Sequence, residues 1–156
     1  MTRRPQYVRA KHLPPNPRAD DPLFDVHVLY FPLDWYRGAV MANGARHLIF
    51  ATEISQRDCP RWYVDGTFKL VTKPFMQLWT IKGFRKNPAK VIKQVPFVFV
   101  LMTRRRSCDF SVVFDFILQQ FRLPKVKEVM LDFERAVFTA IAAKLLQVQH
   151  LGCNFH

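Results

Sequence analysis

The chain has 156 residues, 49% hydrophobic and 14% aromatic, enough apolar material for one packed domain and too much for a wholly disordered protein. Twenty-four Lys and Arg against 12 Asp and Glu give a formal charge of +12 and a pI near 10.1, which suits a polyanionic partner, nucleic acid before anionic membrane. No apolar run reaches the ~20 residues of a membrane helix, and Met1-Thr2-Arg3-Arg4-Pro5 lacks a secretory apolar segment. Cys59, Cys108 and Cys153 are too few and too scattered for a disulfide framework, so a soluble intracellular protein without a membrane partner is expected.

Residues 1 to 22 hold Pro5, Pro14, Pro15, Pro17 and Pro22 among arginines and predict a disordered basic arm. Residues 23 to 60 are apolar but irregular. Val26, Val28 and Tyr30 alternate like a strand, Gly38 and Asn43-Gly44 interrupt, and His47-Leu48-Ile49-Phe50 resumes before the Asp58-Cys59-Pro60 turn. A helical lead-in and the remains of a preceding module both fit this region.

Three β-like runs follow, Arg61 to Val71, Phe75 to Phe84 and Val95 to Thr103, with short connections that make consecutive strands antiparallel neighbours. The third is continuously apolar, as a strand buried on both faces would be, with Pro96 placed best at its start. In the first, the period of two puts Trp62, Val64, Phe68 and Leu70 on one face and Tyr63, Asp65, Thr67 and Lys69 on the other. Asp is depleted in strands. Asp65 is therefore either a metal-binding carboxylate or a solvated acid at a strand end or bulge marked by Gly66.

Phe110, Val113, Phe114, Ile117, Leu118 and Phe121 form one helical stripe, capped by Ser107 or Asp109 and ended by Pro124. Val126 to Asp132 predicts a strand ending in an acid. Phe133-Glu134-Arg135-Ala136 opens a second helix with Val137, Phe138, Ile141, Ala142 and Leu145 in its stripe, and Gln147 to Phe155 predicts a last strand. The order β-β-β-α-β-α-β predicts an α/β fold with a mixed sheet, the ribonuclease H-like order. In that layout the fourth strand lies parallel to the first and brings Asp65 and Asp132 together. Two such carboxylates repel unless cations lie between them, which makes the pair a divalent-ion site; Asp132 can also cap the helix it precedes.

Trp62-Tyr63-Val64-Asp65-Gly66-Thr67-Phe68, Pro74-Phe75 with Gln77-Leu78, Met102 to Arg106, Asp132-Phe133-Glu134-Arg135-Ala136 and Gly152-Cys153-Asn154-Phe155-His156 together resemble the transposase (MULE) domain of Mutator-like elements, from about His47 onward. The resemblance implies a DDE transposase of the ribonuclease H-like superfamily, a nuclear enzyme of DNA transposition that cuts and joins DNA with Mg2+ or Mn2+. It implies that Asp65 and Asp132 are the first two catalytic and metal-binding acids, and that Cys153 and His156 form the family C-x-x-H motif.

The family's third acid, a Glu, lies beyond a helical insertion downstream of that motif, whereas this sequence stops at His156. The expectation is thus that residues 61–156 are the N-terminal part of a catalytic domain, a fragment truncated before the third acid and inactive alone. Glu134, one turn into the second helix, is expected to point away from Asp132. Lys69, Arg104, Arg105 and Arg106 are candidate phosphate contacts, solvated loop charge being the alternative. His150, Cys153 and His156 have H-x2-C-x2-H spacing, yet no second cluster completes a zinc site, so zinc is not expected. Partners implied are DNA and a second copy of the full-length transposase. A non-catalytic nucleic-acid-binding protein, domesticated or relict, is the alternative function.

Overall fold

Among the described residues, seven strands and two α-helices are built from the two periodicities of the sequence. The structure, a computed structural model, describes residues 17–52, 59–86, 88–120, 125–132 and 134–153; most of the basic arm and His156 lie outside them. The strands are β1 (Tyr36–Ala42), β2 (Ala45–Ala51), β3 (Arg61–Thr67), β4 (Gln77–Lys86), β5 (Ile92–Met102), β6 (Glu128–Leu131) and β7 (Gln149–Gly152). Helix α1 (Ser107–Gln120) joins β5 to β6, and α2 (Arg135–Lys144) joins β6 to β7.

The sheet order is β1-β2-β5-β4-β3-β6-β7. Pairing is antiparallel from β1 through β3 and parallel from β3 through β7. Both crossovers step in the same direction along the sheet, so right-handed connections lay α1 and α2 on one face, where they pack against each other. That face carries Trp62, Val64, Trp79, Ile81, Val100, Val129 and Leu131, all buried under Phe110, Val113, Phe114, Ile117, Val137 and Ile141. Trp79 meets the rings of Phe110 and Phe114 at 5.8 and 5.0 Å. Within the stripe expected for α2, Phe138 is instead half exposed, because Val137, Ala140 and Ile141 already fill the contact.

Within the stretch that fits a helical lead-in or the remains of a preceding module, residues 36–51 form two strands of the same sheet. Asn43-Gly44, with φ of 47° and 78°, turns β1 back on β2, as the two-residue hairpin requires. Leu48 to Ala51 then pair with Leu101 to Val98, so the hairpin extends the same sheet. Val26, Val28 and Tyr30 do not make a strand: Val28–Tyr30 is a 3-10 turn, closed by the Phe31 N–H donating to the Val28 carbonyl. What this segment buries is aromatic. Phe31 and Trp35 stack on Phe50 at 5.3 and 4.7 Å, and Trp35 also meets Phe99 at 6.0 Å, roofing the second face over β2 and β5.

Strand limits also differ from expectation, β4 running from Gln77 to Lys86 and β6 from Glu128 to Leu131. β3 stops at Thr67, leaving Phe68, Lys69 and Leu70 exposed beyond it. β5 starts at Ile92, so Pro96 falls inside it, opposite Lys82 of β4; the pairing of β2 with β5 runs from Leu48–Leu101 to Ala51–Val98. β7 covers Gln149–Gly152, and Asn154 and Phe155 lie outside the described residues.

A buried polar pair ties the hairpin to the start of α1. His47 and Asp109, 0% and 1% exposed, meet at 3.4 Å between Nε2 and Oδ1. Thr103 N–H donates to His47 Nδ1 at 3.4 Å, which places the proton of a neutral imidazole on Nε2. Asp109 Oδ2 in turn accepts the Arg106 N–H at 2.8 Å, reaching back across the helix start as a capping box does. Burial holds the His47 pKa below the ordinary 6.5; Asp109 works against this, while Arg104 adds to it.

The unfolded chain therefore takes up this proton near pH 6.5 while the folded chain does not, and stability falls as pH drops below that value. Urea unfolding midpoints are expected to decline more between about pH 7 and about pH 5.5 in the wild type than in His47→Gln. Trp35→Ala is expected to cost about 2 to 3 kcal/mol in the same assay, because it unroofs Phe50 and Phe99.

Candidate metal and nucleic-acid site

The parallel pairing of β3 and β6 sets Val64 opposite Leu131. The next residues on each strand, Asp65 and Asp132, turn to the opposite face from these core side chains and line one cleft with Tyr63, Lys82, Gln94, Met130 and Cys153. The cleft opens where it should. β3 leaves toward β4 on one side and β6 toward β7 on the other, so the chain diverges at the carboxyl ends of two adjacent parallel strands, the usual crevice of an open α/β sheet.

Asp65 is half-buried and ion-paired, with Lys82 Nζ at 2.9 Å from its Oδ2. The Thr80 hydroxyl donates to the Asp65 carbonyl at 3.3 Å. Asp132 Oδ1 accepts the Glu134 N–H at 3.3 Å, so the acid at the strand end also satisfies a donor at the entry to α2. Two carboxylates from neighbouring strands form an oxygen donor set that fits a hard divalent cation. Among the described residues no group of three or more His, Cys, Asp or Glu side chains converges as a metal cluster.

Glu134 belongs to the other face. Its Oε2 accepts from Gln77 Nε2 at 3.4 Å, and Gln77 is fully buried over Gly66, where an added Cβ would lie 2.9 Å from the Gln77 carboxamide carbon. Gly66 is thus the room in which Gln77 sits. Burial pushes the Glu134 carboxyl up from its ordinary value; the Gln77 bond opposes this, the charge of Asp132 adds to it, and Arg105 opposes it.

The candidate phosphate contacts gather at the same end of the sheet as the two acids. Lys69 is in the exposed turn after β3. Arg105 lies over the neighbouring Phe68 ring at 4.7 Å, and Phe68 itself is 48% exposed. Arg104 donates to the Asn43 carbonyl at 3.0 Å and so leans on the β1–β2 turn. Arg106 is exposed, with its backbone held by Asp109.

Cys153 lines the acid cleft, its N–H donating to the Leu131 carbonyl at 2.8 Å. His150 is turned to the helix side, its ring 5.7 Å from that of Phe138, so His150 and Cys153 stand on opposite faces of β7 and do not make a ligand pair. The sequence reading missed Lys82 and Gln94. Lys82 carried a signal: it is the lone cation within the apolar run Leu78 to Phe84, and antiparallel pairing sets it beside Tyr63, two residues from Asp65.

A family model described as the MULE transposase domain fits residues 61–156, the span from the first residue of β3 through both acids to the last residue. No curated protein and no solved structure matches the chain. The β3-to-β7 unit that holds Asp65 and Asp132 is the part matched, and the chain belongs to the MULE transposase domain family.

Proposed function

We propose that this chain supplies the Asp65–Asp132 pair of a DDE-type transposase centre, which acts on DNA by metal-dependent phosphoryl transfer. The observation that carries the reading is the parallel β3–β6 register, which sets the two acids in one cleft at the carboxyl ends of adjacent strands. A ribonuclease H-like fold is supported by the order β5-β4-β3-β6-β7, three antiparallel strands followed by two parallel ones linked through helices. Family membership supports the chemistry.

Asp65 and Asp132 would hold Mg2+ or Mn2+, which when bound activates an attacking water or 3'-hydroxyl and neutralises the leaving oxygen. Phosphoryl transfer asks the protein for positioning and charge neutralisation. Lys69, Arg104, Arg105 and Arg106 supply the second along the DNA backbone, without reading sequence. With two carboxylates in the cleft and no third acid converging on them among the described residues, residues 1–156 bind cation and DNA but do not join strands. With DNA as the substrate, the proposed place of action is the nucleus.

The Asp65–Lys82 ion pair favours a second reading, in which Lys82 neutralises Asp65 permanently and the chain binds nucleic acid with no metal chemistry. Cation binding separates the two. In the first reading Mn2+ binds residues 1–156 and binding is lost in Asp65→Asn and Asp132→Asn; in the second no variant differs from the wild type.

Both readings expect affinity for duplex DNA to fall steeply between about 50 and 200 mM salt, and the Lys69→Ala, Arg104→Ala, Arg105→Ala, Arg106→Ala variant to lower the log–log slope by about 3 to 4. Fluorescence anisotropy measures this, and a slope unchanged by the four substitutions would place the DNA surface elsewhere.

A further inference from the structure

Lys82 is the basic side chain paired with Asp65, and it comes from β4 rather than from the rim. Its register partner is Tyr63, and Asp65 lies one step farther along the same face of β3, a diagonal that a long side chain spans. The ammonium reaches Asp65 Oδ2 at 2.9 Å, with the Lys82 and Asp65 side chains 27% and 35% exposed. Neither is sealed in the core. Both face the cleft that Asp132 and Gln94 also line, so the ammonium has carboxylate on one side and open cleft on the other.

We propose that Lys82 is a positioning residue for phosphoryl transfer. In the free protein its ammonium holds Asp65 in the place of a divalent cation; when the cation takes Asp65, the ammonium turns to a non-bridging oxygen of the DNA phosphate in the same cleft. The inference rests on the reading of Asp65 and Asp132 as a cation site. Its basis is charge balance. Two carboxylates repel each other, and the Lys82 ammonium, 2.9 Å from Asp65, offsets one of the two charges and competes with a cation for that oxygen.

A divalent cation added to two carboxylates and one ammonium leaves the cleft with one net positive charge, which attracts a phosphodiester. Without the ammonium the loaded cleft is neutral. The lysine side chain suits the exchange, being a point charge on a flexible stem with three donors rather than a planar fork committed to one carboxylate. Lys82 therefore weakens cation binding and strengthens phosphate binding, two effects of opposite sign from one charge.

The test is Mn2+ titration of residues 1–156 by electron paramagnetic resonance, followed by anisotropy with a short DNA duplex in saturating Mn2+, on wild type, Lys82→Met and Lys82→Arg. Lys82→Met is expected to bind Mn2+ about 3- to 10-fold tighter and DNA about 3- to 10-fold more weakly. Lys82→Arg, which keeps the charge, is expected to show neither change. Lys82→Gln replaces Lys82→Met if circular dichroism shows the latter misfolded.

A merely structural lysine would loosen Asp65 when lost and weaken Mn2+ binding. That result, or Mn2+ and DNA affinities unchanged in Lys82→Met while Asp65→Asn still abolishes Mn2+ binding, overturns the role of Lys82 and leaves the cation site standing. Tighter Mn2+ with unaltered DNA affinity overturns the transfer to phosphate. No Mn2+ binding by the wild type overturns the inference together with the cation site beneath it.

Discussion

The parallel hydrogen bonding of β3 to β6 is the constraint on which the rest of the molecule turns. Trp62 lies opposite Val129 and Val64 opposite Leu131, and all four side chains are buried under the helices. A slip of one residue would exchange the faces of every side chain on one strand, expelling core residues and burying an acid. The hydrophobic core therefore fixes the register, and the register fixes the acids. Asp65 and Asp132 need no attraction for each other to stay adjacent, because the free energy that holds them comes from apolar burial on the opposite face of the sheet.

Around this pair the molecule separates two kinds of charge network. His47 and Asp109 form a sealed pair beneath the Thr103–Ser107 turn, with their hydrogen-bonding groups directed to backbone and to each other. It fixes the path of the segment that carries Arg104, Arg105 and Arg106. Asp65, Asp132 and Lys82 sit in an open cleft, where water or a ligand can take part. Gln77 and Glu134 occupy the boundary between them, on the helix side of the same sheet end.

Much of this was legible in the sequence between Arg61 and Gly152, because its strands and helices obey clean periods and its two acids fall at strand positions that normally reject them. The β1–β2 hairpin was not, although Asn43-Gly44 marks its turn. Strand β2 is covered on both faces, by α1 on one and by Phe31 and Trp35 on the other, so its residues are nearly all buried and the alternation that identifies a half-exposed strand disappears. Pro96 misled because it marks a strand start by local rule, whereas pairing with β4 extends β5 back to Ile92. Lys82 was visible as an exception in an apolar run, but its role needed the register of two strands. The face on which Glu134 lies depends on Gly66 making room for Gln77, which no spacing rule encodes.

The aromatic roof has a further consequence. Tyr36, Phe50, Phe99, Thr80 and Asp65 follow one another in register across the sheet, and the rings of Phe31 and Trp35 cover the Phe50–Phe99 part of that row. The acids thus stand at the foot of a wall on the β2 side. A long, stiff polymer laid over them would meet that obstacle when it comes from the β2 side. The direction of approach to the acids would follow from where the chain parks two aromatic side chains, Phe31 and Trp35, rather than from any contact in the cleft itself.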